Sequence, residues 1–189
     1  MEIVAICGSP RRKGNTAALI EAALEGARDA GATTTRFDPA HLQIADCDAD
    51  RMCLESAEAP CIQNDDMQQI YDALRRAEAW IFACPVYFWN VSAPLKRVID
   101  RLYAFYTEEG GWHLGLEGNR RGGVIVVQAD EDQKTPKHVA DYIATVLRDL
   151  NVDVVGQLNE GGVGDPGDAA ARPDLLDRAR QLGGDLARA

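Results

Sequence analysis

The stretch Gly8-Ser9-Pro10-Arg11-Arg12-Lys13-Gly14-Asn15-Thr16 gathers two glycines, three cations and three short polar side chains. It follows a short apolar run, Ile3-Val4-Ala5-Ile6-Cys7, and leads into an Ala- and Leu-rich segment with helical spacing, Ala17 to Arg28. A buried strand, a tight polar loop and a helix N-terminus in that order build an anion site. The first N–H groups of a helix have no intrahelical partner, and the helix dipole favours negative charge beside them. Gly8 and Gly14 let backbone approach a ligand closely. The loop is not G-x-x-x-x-G-K-[ST], which disfavours a triphosphate, and not G-x-G-x-x-G, which disfavours a dinucleotide. It is suited to one phosphomonoester; the alternative is a basic turn with no ligand.

A second group of residues could hold a flat, partly apolar ring. Cys84-Pro85-Val86-Tyr87-Phe88-Trp89-Asn90 places three consecutive aromatics after an apolar strand and before a helix start at Ser92. Such a run supplies a ring platform, and its backbone N–H groups could bond ring heteroatoms. Aromatics at a subunit interface would leave the same signature. No Ser/His/Asp or Cys/His constellation is present, so no side chain is nominated as a catalytic acid, base or nucleophile. His41, His113 and His138 lack ligand-like spacing.

The elements that must carry these loops alternate. Strands are expected at Ile3–Cys7, Thr33–Phe37, Ala79–Cys84, Val124–Gln128 and Val152–Val155. Helices are expected at Asn15–Ala30, Asp65–Arg76 (capped by Asn64 or Asp65), Ser92–Phe105 (capped by Ser92), Pro136–Leu150 and Asp174–Leu186. Apolar strands alternating with amphipathic helices mean right-handed β–α–β units and a parallel sheet covered on both faces. The expected fold is a single α/β domain over residues 1–189: a doubly wound, flavodoxin-like sheet of five parallel strands, order 2-1-3-4-5, with ligand at the carboxyl ends of strands 1 and 3. A polar, cysteine-bearing insert at about 39–63 interrupts the pattern. The acidic loop Asp130-Glu131-Asp132 is read as solvated.

The chain has 189 residues and a formal net charge of −10, which argues against nucleic acid and anionic membrane surfaces as partners. No run is long enough to span a bilayer and no signal peptide is visible, so a cytoplasmic location is expected. Five cysteines, an odd number in a reducing compartment, point to thiols or ligands rather than a disulfide framework.

Gly8-Ser9-Pro10-Arg11 with Gly14-Asn15-Thr16, followed by Pro85-Val86-Tyr87-Phe88, Ser92-Ala93-Pro94-Leu95-Lys96 and Ile99-Asp100-Arg101, resembles the NADPH-dependent FMN reductase family. Within it, the chain resembles most the iron–sulfur flavoprotein-like branch. The resemblance spans about residues 1–150. It implies non-covalent FMN. Ser9, Arg11, Asn15 and Thr16 would hold its phosphate, with Lys13 or Gly14 assisting, and Pro85, Val86, Tyr87, Phe88, Trp89 and Asn90 would line its ring. It further implies a homodimer or homotetramer passing electrons from NAD(P)H through FMN to a quinone, flavin, nitroaromatic or metal ion. Two other functions stay open: electron transfer served by a ferredoxin-like partner, and a flavin-binding module without reductase activity.

The iron–sulfur branch carries C-x2-C-x2-C and then a fourth cysteine. Laid on that pattern, Cys47, Asp50, Cys53 and Cys61 fill the four places, with a carboxylate at the second. A [4Fe–4S] cluster ordinarily takes four thiolates. Three readings therefore stand: a cluster on Cys47, Cys53 and Cys61 with a carboxylate, a zinc ion on the same set, and a loop without metal whose thiols lie at a lid or interface. The last is the one expected. Cys7 and Cys84, at strand ends, are expected in the core.

Overall fold

The computed structural model describes residues 1–55 and 61–188. The chain opens with β1 (Glu2–Cys7), α1 (Asn15–Asp29) and β2 (Thr33–Phe37). After the insert come α2 (Met67–Arg76), β3 (Ala79–Pro85) and α3 (Ala93–Arg101). A small antiparallel ribbon follows, β4 (Tyr106–Thr107) with β5 (His113–Leu114). The chain then runs through β6 (Arg120–Val127), α4 (Lys134–Asp149), β7 (Val152–Glu160) and α5 (Pro173–Ala187).

Five strands form one parallel sheet in the order β2-β1-β3-β6-β7. Numbered among themselves, they give the expected flavodoxin-like order 2-1-3-4-5. Alternation along the strands makes two cores. Val4, Ile6, Trp80, Phe82, Val124 and Val126 face α2, α3 and α4. Ile3, Ala5, Ile81, Ala83, Ile125 and Val127 face α1 and α5. Burying each large side chain contributes roughly 1.5–3 kcal/mol, so both faces are strongly specified. Trp80 is fully buried, and its indole N–H donates to the Leu74 carbonyl at 3.0 Å, so that burial leaves no orphaned donor.

Helices α1 and α5 meet backbone to backbone. A Cβ on Gly26 would lie 2.0 Å from the Arg180 carbonyl oxygen, and one on Gly183 only 1.7 Å from that of Ala23. Only glycine allows that approach at either position.

Several boundaries differ from expectation. The last two sheet strands are longer than their apolar runs. Arg120 extends β6 by laying its guanidinium over the Trp80 ring at 5.6 Å, and a bulge at Gly122/Gly123 fits the strand to β7. Tertiary pairing thus overrides a polar sequence. The helix expected over Ser92–Phe105 is α-helical only to Arg101, with a 3₁₀ turn at Leu102–Phe105. Ser92 precedes α3 but does not cap it; its hydroxyl donates to the Gly8 carbonyl at 2.6 Å. At α2 it is Asp65, not Asn64, whose carboxylate accepts from the Met67 N–H at 2.9 Å. The β4–β5 ribbon was not foreseen. Of the insert at 39–63, residues 56–60 lie outside the described residues. No helix among the described residues is long and apolar enough to cross a membrane.

Candidate functional site

The loops after β1, β3, β6 and β7 converge at the carboxyl edge of the sheet. They enclose a cavity of about 170 Å³ lined by Ser9, Arg11, Gly14, Asn15, Thr16, Pro85, Val86, Tyr87, Val127, Gln128, Ala129, Val163 and Gly164. The two segments singled out by sequence therefore share one wall-to-wall site. Their contact is direct: the Gly8 N–H donates to the Ala83 carbonyl at 2.7 Å, and the Ser92 hydroxyl donates to the Gly8 carbonyl. A Cβ on Gly8 would lie 2.6 Å from that of Leu95 and 2.8 Å from the Ser92 hydroxyl oxygen, so the loop needs glycine there.

The anion loop is a compact turn. The Gly14 N–H donates to the Arg11 carbonyl at 3.1 Å, and the Arg11 N–H donates to the Ser9 hydroxyl at 3.2 Å. Helix α1 starts on Gly14, which has no side chain to cap it. Its dipole and opening N–H groups sit beside buried Ser9 and Thr16, the donor set a phosphate monoester requires. Arg11 reaches the cavity lining. Arg12 and Lys13 are exposed and outside the lining, so Lys13 takes no part in the cavity wall as it stands.

Asn15 departs from expectation. Its amide nitrogen donates to the carbonyls of Val163 (3.3 Å) and Asp165 (2.8 Å). Its amide oxygen accepts from the Gly167 and Ala169 N–H groups, both at 3.2 Å. All four hydrogen-bonding places of the side chain are thus filled by the loop after β7. Asn15 fastens that loop to the start of α1, and what it can offer an anion is its backbone N–H.

The aromatic loop is a tight hairpin. Tyr87 and Asn90 exchange backbone hydrogen bonds, Tyr87 N–H to Asn90 carbonyl at 2.9 Å and the reverse at 3.1 Å. Between them Phe88 and Trp89 adopt φ of 49° and 62°. Two consecutive left-handed residues make a turn normally given to Asn-Gly, and each bulky residue held there costs about 1–2 kcal/mol. The rings pack edge to face, centroids 4.9 Å apart, and stand 91 % and 66 % exposed. Pro85, Val86 and Tyr87 line the cavity; Phe88, Trp89 and Asn90 do not. The N–H groups of Val86, Tyr87, Asn90 and Val91 are all used internally. Among the described residues, that leaves Phe88 and Trp89 as the hairpin's uncommitted backbone donors.

Sequence reading missed Val163 and Gly164 on the far wall. They belong to the Gly-rich segment after β7, and the other residues of that wall, Gln128 and Ala129, to the loop after β6. Those loops lock together: Gly162 N–H donates to Asp130 carbonyl at 2.8 Å and Val163 N–H to Gln128 carbonyl at 2.8 Å. The acidic residues there do structural work. Asp132 accepts from the Lys134 and Thr135 N–H groups at 3.1 and 3.0 Å at the start of α4, and these bonds hold its carboxyl below the usual range.

A second cavity, about 480 Å³, lies in the insert and is lined in part by Cys47, Asp50, Cys53, Cys61, Tyr71 and Arg101. Arg101, on α3, is 2 % exposed and organises it. Its guanidinium donates to Ala45 carbonyl (3.0 Å), Gln63 Oε1 (2.6 Å), Asp65 Oδ2 (2.8 Å) and Cys61 Sγ (3.4 Å). Burial pushes the Asp65 carboxyl up, but the Arg101 hydrogen bond and the Ala45 and Met67 N–H groups outweigh it and hold it below the usual range. Burial likewise raises the Cys53 thiol, reinforced by Cys61, Asp50 and Cys47. All five cysteines are free thiols; Cys7 and Cys84 are buried in the core as expected. Among the described residues, no three His, Cys, Asp or Glu side chains meet closely enough to hold a single metal ion.

Comparison with known proteins follows the same lines. The family model for NADPH-dependent FMN reductase matches residues 1–134. An iron–sulfur flavoprotein of Archaeoglobus fulgidus is 34 % identical over 191 residues, covering 100 % of this chain and 80 % of that one. One from Methanocaldococcus jannaschii is 31 % identical over 190 residues, covering 97 % and 94 %. Among solved structures, an NAD(P)H:quinone oxidoreductase from Methanothermobacter marburgensis superposes with a TM-score of 0.74 at 23 % identity, covering 98 % of each chain, a likeness of fold. The chain belongs to the NADPH-dependent FMN reductase family.

Proposed function

We propose that the protein is an FMN-dependent oxidoreductase that takes electrons from NAD(P)H and passes them to a small acceptor such as a quinone, a flavin, a nitroaromatic or a metal ion. Family membership supports flavin-dependent oxidoreduction; the donor and acceptor are our reading. The observation that carries it is the meeting of the Ser9–Thr16 loop with Pro85–Tyr87 around one cavity.

The residues present fit FMN. Ser9, Thr16, the opening N–H groups of α1 and the Arg11 side chain form a cradle for its phosphate. Pro85, Val86 and Tyr87 give an apolar wall beside it. At about 170 Å³ the cavity is smaller than the roughly 300–1,000 Å³ that encloses a whole drug-sized ligand. It suits a phosphate and its polyol chain, with the ring system at the mouth beside Tyr87. When bound, FMN supplies the electron acceptance and donation, and the protein supplies binding, orientation and electrostatics. No side chain at the cavity is called on as acid or base.

The exposed Phe88–Trp89 pair supports assembly with a second copy as a dimer or tetramer. The net charge of −10 and the lack of a membrane-crossing helix among the described residues support a cytoplasmic protein without nucleic-acid or membrane partners. A second reading, electron delivery by a ferredoxin-like partner, is favoured by the cysteine-lined cavity and by the iron–sulfur names of the relatives.

The test is anaerobic. The purified chain is titrated with FMN by flavin fluorescence, then mixed with NADH or NADPH and with a quinone. Steady nicotinamide oxidation that requires both FMN and quinone is expected. Failure to bind FMN overturns the reading; FMN binding with reduction by ferredoxin alone selects the partner-served one.

A further inference from the structure

Asn15 belongs to both halves of the first cavity. Its backbone N–H lies in the opening turn of α1, among the donors that a helix leaves for an anion. Its side chain is buried and gives all four hydrogen-bonding places to the strap formed by residues 163–169. That strap supplies Val163 and Gly164 to the far wall of the cavity. The phosphate cradle and the wall opposite are therefore joined through one residue, by its backbone on one side and its amide on the other.

The other fastenings of the strap do not reach the cradle. The Val163 N–H donates to the Gln128 carbonyl at 2.8 Å, which ties the start of the strap to the loop after β6. Asp168 Oδ2 accepts from the Gly164 and Asp165 N–H groups at 2.9 and 2.8 Å, which folds the strap on itself. Val163 and Ala169 pack into the core layer of α1 and α5. Among the described residues, no hydrogen bond other than those of the Asn15 amide joins the strap to residues 9–16. Gly162 and Gly167, with φ of 71° and 100°, mark the two points about which the strap can swing.

Resting on the flavin reading above, we propose that Asn15 is a positioning residue that couples a phosphate at the start of α1 to docking of the strap, and that undocking of the strap limits FMN release. A phosphate held on the first N–H groups of α1 fixes the Asn15 backbone and so the direction of its amide, which is what the strap bonds to. Such coupling is reciprocal: whatever factor the phosphate adds to the docked strap, the docked strap adds to bound FMN. Riboflavin, with the same ring and polyol but no phosphate, lies outside the coupling.

Amide hydrogen exchange over 163–169 is measured on the full chain alone, saturated with riboflavin, and saturated with FMN; FMN release is followed by the recovery of flavin fluorescence on dilution. FMN should slow exchange of the strap about tenfold beyond riboflavin. Asn15→Ala should abolish that difference and release FMN about tenfold faster. Asp168→Ala loosens the strap without touching α1, so it too should speed release, but the difference between FMN and riboflavin should persist. A merely structural role for Asn15 would make the two variants alike. Equal protection of the strap by FMN and riboflavin overturns the proposal, as does an Asn15→Ala variant that keeps the wild-type difference; should that variant not fold, the wild-type comparison decides alone. A chain that binds neither flavin overturns the flavin reading and this proposal together, whereas FMN binding that leaves the strap indifferent to the phosphate overturns this proposal only.

Discussion

The two cavities are built on opposite principles. The first, about 170 Å³, lies at the carboxyl edge of the sheet and is held by strand ends whose register the core dictates. The second, about 480 Å³, lies in an irregular insert and is held by side-chain hydrogen bonds, with the buried Arg101 of α3 at their centre and Asp65, Asp66 and Gln68 beside it. A site on a sheet edge is positioned by the register of the core, whereas the insert is positioned by polar contacts, of which those of Arg101 are the most buried.

Replacing Arg101 should break that contrast most severely. Arg101→Met leaves Asp65 and Gln63 without their cation, and stranding one partner of a buried pair costs about 3–5 kcal/mol. Thermal unfolding should show the loss. Limited proteolysis should locate it at residues 42–65, with FMN affinity kept; loss of FMN affinity at equal damage to both sites would erase the distinction.

The same pair sets an acid limit. Folding lowers the Asp65 pKa, so its contribution is complete above the ordinary aspartate value of about 3.9 and drains away as pH falls through the lower folded value. Chemical denaturation followed downward from pH 6 should show a loss of stability that Arg101→Met has already suffered and so does not repeat.

At the first cavity the expected effects are smaller. Arg11→Ala removes the charge-assisted bond proposed for the phosphate, worth roughly 1.5–3 kcal/mol, so FMN should dissociate about ten- to a hundredfold more readily. Asn15→Ala strands the Gly167 and Ala169 N–H groups at about 1–3 kcal/mol, read as faster amide exchange over 163–169. The smallest effect runs the other way. Trp89→Gly relieves a left-handed backbone and should stabilise the protein by about 1 kcal/mol in denaturant titration.

The contrast also explains what the sequence could reveal. The strand–loop–helix order at Ile3–Thr16 and the Pro85–Tyr87 segment were legible because local signals and tertiary placement agree there. Asn15 was legible as a polar residue at a helix start, but its partners at 163–169 are remote in sequence, so its structural role was hidden. Phe88 and Trp89 were expected to line the ring site; a hairpin that tight on two aromatics carries no propensity signal, and it turns both rings outward. Arg101 stood in plain view in the Ile99-Asp100-Arg101 motif, yet nothing local says that a charge on a helix will be buried. The far wall from Val163 and Gly164 was missed because glycines beside acidic residues carry no local sign of a tertiary contact.

The contact of α1 with α5 bears on biosynthesis. One layer of the sheet has only α1 until α5 has left the ribosome, and the phosphate loop lacks its Asn15 fastening until residues 163–169 have followed. On the flavin reading proposed above, cofactor capture at that loop waits for late translation, and a chain ending before β7 should bind no flavin.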